Sequence, residues 1–307
     1  MNDFLAIADH SPDEIRGLLE RAATLKKEFQ GGGNQPILKG KSLAMVFQKP
    51  SLRTRVSFEM GMQHLGGHAI YIGPSEIGLG QRESIADVAG VLEGYVDGIM
   101  ARVFDHQHVL DLAQWSDVPV INGLSDYNHP CQALSDALTI QEHMKQDQKI
   151  KVTYVGDGNN VAVSLMHISA KLGWDFTIAN PQGFDMSKQA IEVGESIAKE
   201  SGSHITRLTD PVEAIQDADV IYTDTWTSMG QEEETKKREA VFPPYQVNAA
   251  LLAKAKPTTI VMHCLPAHRG HEITDEVADG PQSALFPQAH NRLHAQKAIL
   301  AELLSDA

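Results

Sequence analysis

Two rhythms of apolar and polar residues run along this chain. Short, nearly continuous apolar runs predict buried strands at residues 42–47, 69–72, 98–103, 118–121, 151–155, 176–179, 204–207, 220–222 and 259–263. Between them, apolar positions return every three or four residues. That spacing predicts helices over 54–65, 85–95, 108–115, 130–144, from about 161, over 188–200, and over 288–304. An earlier helix opens at Ser11, where Ser11, Pro12 and Glu14 make an N-cap, a first-turn proline and a capping box. It stops at Gly31-Gly32-Gly33.

Strand and helix alternate regularly, which implies parallel sheets covered by helices. The polar stretch Lys145 to Lys149 interrupts the alternation, and it then restarts. The expected fold class is α/β: two doubly wound parallel-sheet domains, residues 1–145 and 146–287, with linking and C-terminal helices. The last helix, within 288–307, is expected to pack back on the first domain. A chain of 307 residues is long enough for two such cores.

Charge narrows the partners. The formal net charge is −14, from 26 Lys and Arg against 40 Asp and Glu. That sign disfavours nucleic acid and anionic membrane as general partners, and leaves room for a local cationic pocket. No apolar run is long enough to span a bilayer, and the N-terminus lacks the pattern of a signal peptide. Two cysteines, Cys131 and Cys264, make no disulfide framework, so a cytoplasmic setting is expected.

Against that acidic background, FQKPSLRTR at residues 47–55 gathers three cations and two hydroxyls between a strand and a helix. In parallel α/β sheets this is where ligands bind. A helix N-terminus with Ser51 and Thr54 hydroxyls and Arg53 and Arg55 guanidinium groups suits a phosphate. A capped helix with solvent-facing arginines is the plainer reading, and composition alone does not separate the two.

Four stretches together carry a resemblance. Ser51-Leu-Arg-Thr-Arg55 resembles the Ser-Thr-Arg-Thr-Arg signature of the transcarbamylases, which bind carbamoyl phosphate. His129-Pro-Cys-Gln132 is similar to their His-Pro-x-Gln. The run from Asp224 to Gly230 and the run His263-Cys-Leu-Pro266 resemble the Asp-x-x-x-Ser-Met-Gly and His-Cys-Leu-Pro motifs of the ornithine carbamoyltransferases among them. Order and spacing agree over nearly the whole chain.

The resemblance implies a site in two parts. Ser51, Leu52, Arg53 and Thr54 would hold the phosphate, partly through backbone N–H groups. Arg102 would reach phosphate and carbonyl oxygen, His129 would donate to that oxygen, Gln132 would accept from the carbamoyl NH₂, and Arg292 would be a further cation. For the acceptor, Asn160 would take the α-carboxylate. Asp224 and Ser228 would meet an amine, Met229 would use its backbone, and Cys264 and Leu265 would approach the δ-amine. Arg102, His129, Asp224 and Cys264 are the implied catalytic residues. The implied substrates are carbamoyl phosphate and L-ornithine, and the implied assembly is a homotrimer or a group of trimers. No metal or organic cofactor is implied.

Leu52 stands where the family pattern has threonine, and Gly78 where many members have a glutamine on carbamoyl phosphate. The sequence offers other readings. Gly156-x-Gly158 hints at a dinucleotide turn, but Val161 replaces the third glycine and no ribose-binding acid ends the next strand. His263, Cys264, His268 and His271 suggest zinc, but proline and glycine interrupt them and no second pair completes the set. A transcarbamylase for another amine and a non-catalytic binding protein on the same fold also remain. Residues 231–238 are expected to form an exposed helix with i,i+4 charge pairs. The resemblance implies that this segment moves as a lid when ornithine binds.

Overall fold

A computed structural model describes residues 1–80, 82–145, 148–227 and 232–305, with the side chain of Glu232 excluded. The chain divides into two compact units. The first is Met1–Leu138 with Asn291–Ala307, and the second is Thr139–His290.

The first unit holds a sheet of β1 (Ser42–Phe47), β2 (His68–Ile72), β3 (Gly98–Arg102) and β4 (Val120–Leu124) in the order β2-β1-β3-β4. Every pairing is parallel. Its helices are α1 (Pro12–Gln30), α2 (Leu52–His64), α3 (Pro74–Ile77), α4 (Ile85–Leu92), α5 (His106–Gln114) and the start of α6 (Pro130–His143). The capping box at Ser11 forms as the sequence predicts: Ser11 Oγ accepts from Glu14 N–H, and Glu14 accepts from Ser11 N–H. Strand β1 is buried from Leu43 to Phe47, as a parallel strand covered on both faces must be. Val46, Ile99, Val103, Val109 and Leu112 are part of one apolar cluster of this unit.

The second unit holds β5 (Lys151–Val155), β6 (Asp175–Ala179), β7 (Ile205–Leu208), β8 (Val220–Thr223) and β9 (Ile260–His263), in the order β7-β6-β5-β8-β9 and again all parallel. Its helices are α7 (Asn160–Lys171), α8 (Lys188–Ser201), α9 (Pro211–Ile215), α10 (Thr235–Val241), α11 (Ala249–Leu252) and α12 (Asp275–Ala278). Helix α13 (Leu285–Leu304) begins here, and from Asn291 onward it belongs to the first unit. There Lys297 donates to Asn34 and lies over the Phe29 ring.

In both sheets the chain order reverses beside the first strand of the unit. The switch points fall between β1 and β3 and between β5 and β8. Ligands of open α/β sheets bind outside the carboxyl ends of strands at such points. A further detail aims Arg102 there. The β3–β4 register runs Ala101 to Asn122, then Arg102 to Leu124, skipping a residue at the carboxyl end.

The expectation for residues 231–238 needs correcting. The described part is a 3₁₀ turn, Glu232–Glu234, followed by α10. Glu234 and Arg238 do pair, at 3.0 Å. Arg238, however, is buried, pairs with Asp157 at 2.9 Å, and donates to the carbonyl of Trp226 at 2.8 Å. The solvated face implied by the charge pattern loses its arginine to the interior because a buried carboxylate is there to meet it.

Candidate functional site

In the first unit, Ser51 is the N-cap of α2, and its Oγ accepts from Thr54 N–H at 3.4 Å. This places Leu52 as the first helical residue with its side chain 76% exposed. A threonine at that position would add a hydroxyl; leucine leaves only backbone to offer a ligand. Thr54 is buried, and its Oγ1 is a point of convergence. Ser51 Oγ donates to it at 3.2 Å, Arg102 Nη1 at 3.5 Å and Arg292 Nη2 at 3.4 Å. Three segments far apart in the chain are thereby gathered at one helix N-terminus, where free N–H groups already favour an anion. Arg53 is half-buried beside them. Arg55 turns away: it bonds Glu59 and lies over the Tyr71 ring.

His129 precedes α6 and is buried. Burial first, then the charges of Arg292, Arg102 and Arg53, hold its imidazole well below the usual histidine range. It is therefore neutral at physiological pH and carries an N–H that donates without adding charge. Gln132, one turn on, accepts from Arg292 Nη1 at 2.6 Å through Oε1 and donates to Asp136 at 2.7 Å. Thus the carbonyl oxygen of Gln132, expected to meet a ligand NH₂, holds Arg292 in this structure. Cys131 beside it bonds the Asn122 carbonyl, and burial pushes its thiol up to about 12. It is an inert core thiol.

In the second unit, the turn after β5 has a steric reason for its glycines. Gly156 has φ +144°, and a Cβ on Gly158 would sit 2.3 Å from the Met186 nitrogen. Close packing, with no phosphate required, accounts for the Gly-x-Gly that hinted at a dinucleotide. Asn159 then caps α7, accepting from Val161 N–H and Ala162 N–H, and Asn160 is the first helical residue. Asp224, just past β8, accepts from Asn159 Nδ2 at 2.8 Å on Oδ2 and from Cys264 Sγ at 3.0 Å on Oδ1. Asp157 lies in the same turn, and burial raises its carboxyl to about 6 against the pull of Arg238.

Cys264 and Leu265 are set by a buried pair. His263 Nε2 donates to Glu272 Oε1 at 3.0 Å, and its Nδ1 accepts from Leu265 N–H at 2.8 Å. Leu265 is held at φ +59°, a left-handed conformation that leucine seldom adopts. Asp224, His263 and Cys264 offer ligand atoms within 4.8 Å of one another. Both ring nitrogens of His263 are already engaged, so the trio is a hydrogen-bonded constellation more than a metal set. His268 contributes its backbone N–H to Glu272.

Among the residues the sequence singled out, the first unit brings together Ser51, Leu52, Arg53, Thr54, Arg102, His129, Gln132 and Arg292. The second brings together Asn160, Asp224, Cys264 and Leu265. Ser228 and Met229 lie outside the described residues. Sequence reasoning missed Asn159 and Glu272. The signal for Asn159 was available, since Asn is among the best N-caps and it precedes an apolar helix. Gly78 has φ +52° and accepts from Arg82 N–H, closing a turn.

Comparisons with known proteins match each half of the chain to a family model. Residues 2–142 match the family model for the carbamoyl-P binding domain of aspartate/ornithine carbamoyltransferases, and residues 148–303 match the model for their Asp/Orn binding domain. The ornithine carbamoyltransferase of Pyrococcus abyssi is 55% identical over 302 residues, covering 98% of this chain and 95% of that one. The anabolic ornithine carbamoyltransferase of Pyrococcus furiosus is 54% identical over 299 residues, 97% of this chain and 95% of its own length. A solved structure of ornithine carbamoyltransferase from P. furiosus superposes with a TM-score of 0.96 at 53% identity, covering 99% of this chain and 97% of that chain.

Proposed function

This chain belongs to the aspartate/ornithine carbamoyltransferase family, and from that premise we infer its reaction. It transfers the carbamoyl group of carbamoyl phosphate to the δ-amine of L-ornithine, giving L-citrulline and phosphate. The observation that carries the reading most is the meeting of Ser51, Arg102 and Arg292 on Thr54, at a helix N-terminus in the carbamoyl-P unit.

The roles follow from the chemistry. Ser51, Leu52, Arg53 and Thr54 hold the donor phosphate through hydroxyl, guanidinium and backbone N–H groups. Arg102 spans phosphate and carbonyl oxygen, and Arg292 adds a cation whose orientation Gln132 fixes. As nitrogen attacks, the C–N bond forms and negative charge grows on the carbonyl oxygen. Arg102 and the neutral His129 N–H stabilise that charge. Removing one such donor typically costs about 10²–10³ in rate. The C–O bond to phosphate then breaks, the leaving phosphate keeps the electron pair, and it accepts the proton shed by nitrogen. No further acid is needed.

On the acceptor side, Asp224 and Ser228 hold the α-ammonium, and Asn160 takes the α-carboxylate. Met229 and Leu265 contribute backbone. Cys264 sits by the δ-amine, which attacks only when neutral, and its bond to Asp224 supports a part in steering the proton. Donor binds first and acceptor second.

Three finer readings belong here. The biosynthetic direction is supported by the name of the P. furiosus relative. A homotrimer is supported by family membership and by α4 and α5, which pack together and leave Val91, Leu110 and Trp115 exposed, with Tyr95 beside them. Sedimentation at three times 33.5 kDa tests it, and a monomer at working concentration contradicts it. A cytoplasmic setting is supported by cysteines that form no disulfide; no described helix is long and apolar enough to cross a membrane.

A citrulline assay on the purified protein tests the reaction. Citrulline from carbamoyl phosphate and ornithine is expected. Activity with putrescine, lysine or an N-acylated ornithine, and none with ornithine, would overturn the acceptor.

A further inference from the structure

Asn159 does two things at once. With Oδ1 it caps α7, accepting from Val161 N–H at 3.0 Å and Ala162 N–H at 3.1 Å, and the Tyr154 hydroxyl donates to the same oxygen at 3.3 Å. Because the oxygen is committed to those donors, the amide nitrogen is the end that faces Asp224, donating to Oδ2 at 2.8 Å. Capping needs only the oxygen, and Asp or Ser would serve as well. The nitrogen therefore does something that capping does not require.

What it does follows from the surroundings of Asp224. The carboxylate is 6% exposed, and its other oxygen accepts from Cys264 Sγ. Among the described residues it pairs with no arginine or lysine. Arg238, in the same unit, is committed to Asp157 at 2.9 Å and Glu234 at 3.0 Å. A cationic partner would fix Asp224 and cancel its charge. A neutral amide fixes it and leaves the charge in place.

We propose that Asn159 is a positioning residue for the acceptor: from the end of α7 it sets the rotamer of Asp224 and keeps that carboxylate's charge available to the ammonium of an amino-acid acceptor. This rests on the reading of Asp224 as part of the ornithine site. It makes Asn159 a determinant of acceptor selectivity without contact to the acceptor.

Asn159→Asp separates the two jobs. It keeps the capping oxygen, removes the N–H, and sets a second carboxyl against Asp224. Two carboxyls so close share a proton, which they retain to higher pH than either would alone. A melting temperature near wild type and an unchanged KM for carbamoyl phosphate are expected. The KM for ornithine should rise about 10- to 10²-fold at neutral and alkaline pH, the worth of a hydrogen bond to a charged group. The ratio of kcat/KM for ornithine, variant to wild type, should fall as pH rises, because the introduced carboxyl donates to Asp224 only while protonated. Asn159→Ser, which caps but is too short to reach Asp224, should show the raised ornithine KM with a ratio flat in pH. An Asn159→Asp enzyme with unchanged ornithine KM and a flat ratio would reduce the residue to a cap and overturn the proposal. Unchanged ornithine KM in Asn159→Ser does the same, and decides the matter if the Asp variant fails to fold. A wild type that makes no citrulline overturns the proposed reaction itself and this proposal with it, and the wild-type assay tells that failure from the other.

Discussion

At the carboxyl ends of β1 and β3, Arg102 and Arg292 converge on Thr54 with Arg53 beside them; at the carboxyl ends of β5 and β8, Asn159 and Cys264 converge on Asp224. Both places are switch points of a parallel sheet, and both lie at the start of a helix, α2 in one and α7 in the other. Backbone geometry is nearly the same problem twice. The side chains differ in sign. Three guanidinium groups suit a phosphate dianion, and a carboxylate steadied by a neutral amide and a thiol suits an ammonium. On the proposed reading, one scaffold selects two substrates by what is attached to its turns, as expected where function resides in sites grafted on a fold.

The widest separation between the halves is expected from Arg53→Ala. Its turnover should drop by about 10³-fold or more, with ornithine-side contacts untouched and the fold kept, since the residue is half-buried and lies at a helix start. Steady-state citrulline formation and a melting curve check this. Full activity would remove Arg53 from the donor site. Asp224→Asn comes next. The ornithine KM should rise about 10²-fold while a phosphonate donor analogue binds as before, because an amide cannot offer a charge to the ammonium. Equal losses on both substrates would blur the division.

The smallest effect is on stability against pH. His129 is held neutral by burial and the nearby arginines, so its folded value lies below the ordinary 6.5. As pH falls below 6.5 the unfolded chain binds a proton that the folded chain does not, and stability is lost; above 6.5 the contribution is fully present. Asp157 has the opposite sign, because its carboxyl is raised to about 6 from 3.8. Between those values the folded chain holds the extra proton, so its contribution grows as pH falls. Replacing His129 with Gln should therefore flatten the acid-side loss of melting temperature, and an unchanged slope would mean that His129 is not the group responsible.

Much of the scaffold was legible because parallel strands buried on both faces read as unbroken apolar runs. Strands β1 and β5 fall on the predicted residues. Strand β4 is displaced to Val120–Leu124, past the predicted end at residue 121. The extension carries a polar residue, Asn122, whose amide is buried and donates to the Leu5 carbonyl; periodicity stops at a polar residue that tertiary contact later satisfies. Helices α3, α9, α11 and α12 escaped because each spans little more than a turn and has too few residues to display a period.

For the site, the motifs marked single residues but not their partnerships. Thr54 meets Arg292 across most of the chain's length, and no local pattern announces that. Arg238 read as a surface charge because its partner Asp157 is remote in sequence. Glu272 holds His263 only after the turn at Leu265 folds the chain back. Such pairings depend on topology, and topology enters only when the sheets are assembled.

The claim at the centre is that the donor anion is held by the arginines of the first unit and owes nothing to the carboxylate of the second. Titration calorimetry of a phosphonate analogue of carbamoyl phosphate against wild type, Arg53→Ala and Asp224→Asn tests it most directly. Binding should vanish in Arg53→Ala and persist at wild-type strength in Asp224→Asn. Retained binding in the first variant, or loss of it in the second, would contradict the account.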